Sequence, residues 1–198
     1  MMTVEECIKT RRSTRKYLAR PVEDDKLERV IEAGRCAPSG GNNQSAHLLV
    51  IKNRDVLKEL AVQVKHEFEQ MEVTEGLYAS LASAIRASKG EKYVFHYDAP
   101  VLIVVANKRN YGNSMADSAC VLENMMLMAN GLNLGSCWIN QLRWLSENEA
   151  LLKTLGALGL KEDERVCGAL ALGYPDTVDG LPDRVALPRK GNPVTVIA

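Results

Sequence analysis

The sequence predicts an α+β fold, and three observations predict it. Runs with strand character are few: "HLLVIK" (47–52), "PVLIVVA" (100–106), "RVCGALALG" (165–173) and a closing "PVTVIA". Stretches of helical spacing separate them without strict βαβ alternation, which favours segregated layers over a doubly wound sheet. No GxGxxG or GxxxxGK[ST] follows a strand, so neither a Rossmann dinucleotide site nor a P-loop is expected. A chain of 198 residues suits one domain of ~150 residues with extensions, and no repeat or linker divides it.

The elements follow in order. Thr3 to Thr10 reads as a short helix, with Thr3 as N-cap and Glu6 as its capping-box partner. Leu27, Val30, Ile31 and Ala33/Gly34 give a helical stripe over Asp24 to Cys36, which Pro38 ends. Val56, Leu57, Leu60, Val64 and Phe68 give another over Asp55 to Gln70. The 71–97 segment is polar, with a helix near Leu77 to Ala87 and a break at Gly90. Pro100 to Ala106 is continuously apolar, as a strand covered on both faces would be. Asn113 to Asn130 is the longest helix, apolar nearly all round, with Gly131 expected in the C′ position. Ser146 with Glu149 opens a further helix.

Composition removes several function classes. The 25 basic and 25 acidic residues balance, unlike a dedicated nucleic-acid binder. No stretch approaches the ~18 apolar residues of a membrane span, and the N-terminus lacks a signal-peptide core. Five dispersed cysteines, none at CxxC spacing, fit reduced thiols in a cytoplasmic protein. The three histidines are far apart, and nothing supports a metal site.

Four stretches carry candidate chemistry. "RRSTRKY" (11–17) holds Arg11, Arg12, Ser13 and Arg15, which read either as a solvated helix end or as a phosphate clamp of guanidinium forks. "APSGGNNQ" (37–44) is a surface loop or a glycine-permitted approach to a planar ligand, edged by amides. "GLNLGSCWIN" (131–140) places Trp138 in the core or against a ligand. "LPRKGNPV" holds Arg189 and Lys190 in a loop that reads, alone, as solvated surface.

In their order and spacing these stretches resemble the nitroreductase family. "RRSTRKY" is similar to its RRSxRxF/Y, "APSGGNNQSA" to its APSxxNxQPW, and "SMADSACVLENMMLMANGLNLGSCWI" to its long interface helix followed by GLGxCWIG. "ALGYP" and the basic C-terminal loop also match, so the resemblance runs from Thr3 to Ile197. It implies a central, mostly antiparallel sheet flanked by helices, a domain-swapped homodimer with shared sites, and bound FMN. NADH or NADPH would deliver hydride to flavin N5. A nitroaromatic, quinone or other small electron-poor acceptor would then take two electrons at the same face.

Carried across, Arg11, Arg12 and Ser13 would serve the FMN phosphate and ribityl end, and Arg15 the N1–O2 edge, where reduction places negative charge. Pro38, Ser39, Gly40 and Asn42 would close over the flavin from the partner subunit. Trp138, Ile139 and Asn140 would lie near N5 and O4, with Arg189 and Lys190 reaching the phosphate. No residue would act as catalytic nucleophile or general acid. The chain departs from the pattern at Ser45-Ala46, where the family has Pro-Trp, and at Asn140-Gln141, where many members have glycine first. The 71–97 segment matches the family's variable, lid-like region, and residues 182–198 its C-terminal extension. Two other classes stay open: a flavin-binding sensor or carrier without turnover, and a basic module for an anionic partner. Specialised family reactions, such as enoate reduction or reductive dehalogenation, stay open as well.

Overall fold

The computed structural model, which describes residues 2–198, is built around one strand. In β2 (Val101–Lys108) every residue except Lys108 is buried, as expected for a strand covered on both faces. It pairs with β1 (His47–Ile51) on one side and β4 (Glu164–Gly173) on the other, and β3 (Gly135–Ile139) completes the order β1-β2-β4-β3. All three pairings are antiparallel. A bulge at Cys167 shifts the β2–β4 register: Val105 faces Gly168 and Ala106 faces Val166.

Strand alternation divides the core in two. Val101, Ile103 and Val105, with Leu170 and Leu172, face α2 (Asp24–Arg35) and α5 (Ser114–Gly131) through Leu27, Val30, Leu122 and Met125. Helix α2 comes close because Gly34 has no side chain; a Cβ there would lie 2.9 Å from Met125 Cγ. Leu102, Val104, Ala106, Ala169 and Ala171 face the opposite layer. That layer holds α3 (Arg54–Glu69), α4 (Ala79–Ser88), α6 (Gln141–Trp144) and α7 (Glu149–Ala157). The remaining helix, α1 (Val4–Thr10), carries the expected Thr3–Glu6 capping box. It is tied to the last turn of α5 by Asn130, whose Nδ2 donates to the Cys7 carbonyl (3.2 Å) and Thr10 Oγ1 (3.0 Å).

Four local expectations change. Gly131 stays helical and Leu132 caps α5; the left-handed residue is Asn133 (φ +62°), a role asparagine tolerates well. Helix α7 starts from Asn148, whose Oδ1 accepts from the Leu151 N–H, and Ser146 lies outside it. "GSCWI" is a strand where no strand was expected, because β4 offers it a free edge. The final "PVTVIA" forms no strand: it runs along the surface with Val194, Val196 and Ile197 exposed, paired with neither edge of the sheet. Among the described residues, no helix is long and apolar enough to cross a membrane.

Candidate functional site

The "RRSTRKY" segment runs beside β3. Ser13 forms a parallel bridge with Ser136, the Thr14 N–H donates to the Ser136 carbonyl (2.9 Å), and the Leu18 N–H donates to the Tyr174 carbonyl (2.9 Å). Alternate residues of an extended run share a side. Thr14 turns onto Gly135, where a Cβ would come within 2.5 Å of its hydroxyl. Arg11, Ser13, Arg15 and Tyr17 form the other set and gather around Cys137; Arg12 falls in the set with Thr14. Burial pushes the Cys137 thiol pKa up, while Arg15, the Ser13 hydroxyl and Arg11 pull it back. The Tyr17 phenol is raised chiefly by burial, and its hydroxyl sits 2.9 Å from the Thr14 carbonyl and 3.3 Å from that of Ala171.

These cations are mostly uncommitted. Arg11 lies 4.0 Å from Glu123, at the outer limit of an ion pair. Arg15 is exposed, with one long contact to the Ser13 carbonyl (3.5 Å), and among the described residues it faces no carboxylate. Beyond Ser136 the edge of β3 carries no further strand. The Thr14 bond shows that the Ser136 carbonyl points outward, so the backbone groups of Trp138, two residues on, point outward too. The Trp138 side chain packs on the α5 face: its indole nitrogen would lie 3.0 Å from a Cβ at Gly168, and it donates to Asn140 Oδ1 at 3.0 Å. Ile139 is buried on the face that holds Cys137. A planar ligand at this edge would therefore meet the backbone of Trp138 rather than the indole face.

The second motif lies elsewhere. Pro38, Ser39, Gly40 and Asn42 belong to a loop with a single 3₁₀ turn at Gly40–Asn42. The Gly40 N–H donates to Asp117 (3.2 and 3.3 Å), and the Tyr111 hydroxyl bridges Asp117 Oδ2 (2.8 Å) and the Gly40 carbonyl (3.1 Å). A Cβ at 40 would lie 2.3 Å from Asn113 Nδ2 and 2.7 Å from the Tyr111 hydroxyl, so a side chain there would have to displace both. Gly41 and Asn42 take positive φ (59° and 56°), and Ser39 Oγ accepts from the Gln44 N–H at 2.9 Å. The Ser45 departure has a local use, since its hydroxyl donates to buried Asn107 (2.8 Å). Tyr111 and Asp117 were not singled out in the sequence, because only folding reveals that α5 begins against this loop.

Two registers show how far apart the motifs are. Ser13 meets Ser136, which pairs with Leu172 and thence Val101, whereas Ser45 bonds Asn107. Val101 and Asn107 are six residues apart on β2, ~20 Å. Asp117 and Asn130, which tie down the loop and α1 respectively, are 13 residues apart on α5, also ~20 Å. Within one chain, Gly40 and Arg15 do not share a site.

Past Tyr174, the chain is pinned by Arg184, another residue the sequence did not mark. Its guanidinium donates to the Asn130 carbonyl (2.8 Å) and Asn133 Oδ1 (2.7 Å). Arg189 and Lys190 then run exposed beside Ile8 and Lys9 of α1, at the same end of α5 as Arg11.

Where the 71–97 segment ends, Tyr97 and the following Asp98 both have φ of +57°, a bend unusual for residues with side chains. It is closed by bonds from the Tyr97 N–H to the Val94 carbonyl (3.0 Å) and from the Ala99 N–H to the His96 carbonyl (3.1 Å).

The sequence model of the Nitroreductase family matches residues 8–174. A putative NADH dehydrogenase/NAD(P)H nitroreductase of Archaeoglobus fulgidus is 32% identical over 176 residues, covering 87% of each chain. A nitrobenzene nitroreductase of Ectopseudomonas oleovorans is 27% identical, again over 87% of each. The crystal structure of a nitroreductase with bound FMN from Bacteroides fragilis superposes with a TM-score of 0.84 over the full length of both chains, at 32% identity.

Proposed function

The chain belongs to the nitroreductase family, and on that premise we propose that it is an FMN-dependent oxidoreductase whose two sites are each shared between two copies. The observation that carries this reading is the convergence of Arg11, Ser13 and uncommitted Arg15 at the open edge of β3. The donor set suits FMN: forks of N–H groups for a phosphate, free strand-edge backbone for a ring, and a cation in reach of the ring's N1–O2 edge.

In this reading Arg11 and Ser13 hold the phosphate and ribityl end, with Arg12 at its margin and Arg189 and Lys190 arriving on the C-terminal arm. Arg15 stands at the N1–O2 edge and favours the state in which charge collects there. The outward backbone of Trp138 borders N5 and O4, with Ile139 next to it at the end of the strand. Asn140 orients Trp138 through the indole bond. Pro38, Ser39, Gly40 and Asn42 come from the second copy, because the ~20 Å between the motifs forbids their use in cis. When bound, FMN supplies the redox chemistry, taking hydride from NADH or NADPH and giving two electrons to a nitroaromatic, quinone or similar acceptor. The protein supplies binding, orientation and electrostatics.

Purified protein should be yellow, or become so on adding FMN, and anaerobic NADH or NADPH should bleach it. A colourless protein that takes up no FMN refutes the reading. A yellow one that neither nicotinamide bleaches is a flavin carrier, not an enzyme.

A further inference from the structure

Residues 13–18 are held by two seams, and the seams change partner around Arg15. On one side Ser13 bridges Ser136 in parallel, and the Thr14 N–H donates to the Ser136 carbonyl (2.9 Å). On the other, Tyr17 bridges Pro175 in antiparallel fashion. There the Asp176 N–H donates to the Lys16 carbonyl (3.0 Å), and the Leu18 N–H to the Tyr174 carbonyl (2.9 Å). The Arg15 N–H and carbonyl join neither seam, nor any other backbone bond among the described residues. One side chain spans the gap. The Tyr17 hydroxyl donates to the Thr14 carbonyl at 2.9 Å, with the Ala171 carbonyl of β4 at 3.3 Å. The Thr14 carbonyl belongs to the peptide that carries the Arg15 N–H. A peptide is planar, so pinning its carbonyl sets the direction in which Arg15 departs. Gly173 leaves room for the ring: a Cβ there would lie 3.1 Å from Tyr17 Cδ1. Burial raises the phenol pKa, so the hydroxyl keeps its proton and remains a donor. The family pattern takes phenylalanine or tyrosine at this position, so the hydroxyl is not part of what the pattern requires.

We propose that Tyr17 is a positioning residue for Arg15: its hydroxyl fixes the Thr14–Arg15 peptide and so holds the guanidinium at the open edge of β3. This rests on the FMN reading above and adds a residue to it. The Arg15 side chain has one long contact, to the Ser13 carbonyl (3.5 Å), and faces no acid among the described residues, so its aim depends on its backbone. A cation helps a developing negative charge most when it is already in place before the charge appears.

The test compares FMN-loaded wild type, Tyr17→Phe, Arg15→Ala and the double variant. Three quantities are measured: the flavin midpoint potential, the FMN dissociation constant, and the anaerobic single-turnover rate of reduction by whichever nicotinamide bleaches the wild type. The potential needs no nicotinamide, so it decides the matter even for a flavin carrier. Tyr17→Phe removes one oxygen and keeps the ring. It should move the potential negative and slow reduction about two- to tenfold, the worth of one hydrogen bond. FMN dissociation should change by under about twofold, because the phosphate end is held elsewhere. In the Arg15→Ala background the same change should add nothing to the potential or the rate. A loss confined to the urea midpoint marks a merely structural role and overturns the proposal. Effects that add in the double variant also overturn it, since Tyr17 would then act apart from Arg15. Wild-type protein that binds no FMN, or an Arg15→Ala flavin with unchanged potential and rate, overturns the underlying reading and this inference with it. An Arg15→Ala flavin that responds while Tyr17→Phe does not overturns the inference alone.

Discussion

The two ends of α5 are opposites. At its first turn, Asp117, Tyr111 and Gly40 satisfy one another, Ser45 bonds Asn107, and a Cβ at 40 would have to displace Asn113 and Tyr111. At its last turn, Asn130 and Arg184 tie down α1 and the C-terminal arm, yet Arg15 stands exposed without an acid and β3 keeps an open edge. The first end is a finished joint that presents a loop outward. The second leaves a cation and a strand edge open. Desolvated donors without partners cost 1–3 kcal/mol each, so folded chains leave cations free mainly where water or a ligand takes them. That asymmetry within a single chain is the feature on which the proposed sharing of a site between two copies rests.

The strongest test of this contrast combines lesions from both ends. Gly40→Val forces a clash at the joint, and Arg11→Ala with Arg15→Ala empties the open end. Either change alone should abolish NAD(P)H-driven acceptor reduction in a homodimer. Co-expressed with different tags and purified as the mixed dimer, the two should regain close to half of wild-type turnover, because one site then holds neither lesion. A mixed dimer as inactive as its parents would break the contrast.

Arg15→Ala should slow anaerobic flavin reduction by on the order of tenfold or more, and weaken FMN binding less than Arg11→Ala does. An unchanged reduction rate would remove Arg15 from the redox edge. A milder change tests the joint itself. Asp117→Ala strands the Gly40 N–H and the Tyr111 hydroxyl and should cost about 1–3 kcal/mol, read as a lower midpoint in urea. An unshifted midpoint would mean that the joint is not held by its carboxylate.

The smallest effect is expected where the open end is already closed. Tyr174, which accepts the Leu18 N–H at its carbonyl, is buried beneath Arg20, whose guanidinium lies 3.9 Å from the ring centroid. Its hydroxyl bond to Glu23, with help from the backbone and Arg20, lowers that carboxyl from 4.5 to about 2. A depressed carboxyl stabilises the fold fully above its unfolded value, and loses that contribution as pH falls from about 4.5 towards 2. Glu23 is part-exposed, so solvent screens the effect. Glu23→Gln should remove a shallow slope in that window and lower stability slightly at pH 7, where the contribution is fully present, with the two proteins converging towards pH 2; identical acid curves for both proteins would count against the clamp.

Much of this was legible in the chain because it is local. The Thr3–Glu6 box, the α2 stripe and the apolar run of β2 depend on spacings of two to four residues, which periodicity reports directly. The residue types of "RRSTRKY" alone leave a solvated helix end and an anion clamp equally open; its order with the three later stretches is what favours the clamp. The strand at 135–139 was missed because its glycine and cysteine lack strand character; β4's free edge makes it a strand. Tyr111, Asp117 and Arg184 escaped for a related reason. Each is unremarkable until another element arrives against it.

By itself, then, the sequence determined the fold class, the family resemblance and the candidate residues that the resemblance picks out, because these follow from local spacing, side-chain type and motif order. Only the tertiary structure decided which of those residues stand together. Register along β2 and the length of α5 put Gly40 and Arg15 at opposite ends, and a hydrogen bond across 48 residues set Gln141 against Tyr93. Distances of that kind are fixed by packing a rigid helix on a paired sheet, and no local spacing encodes them.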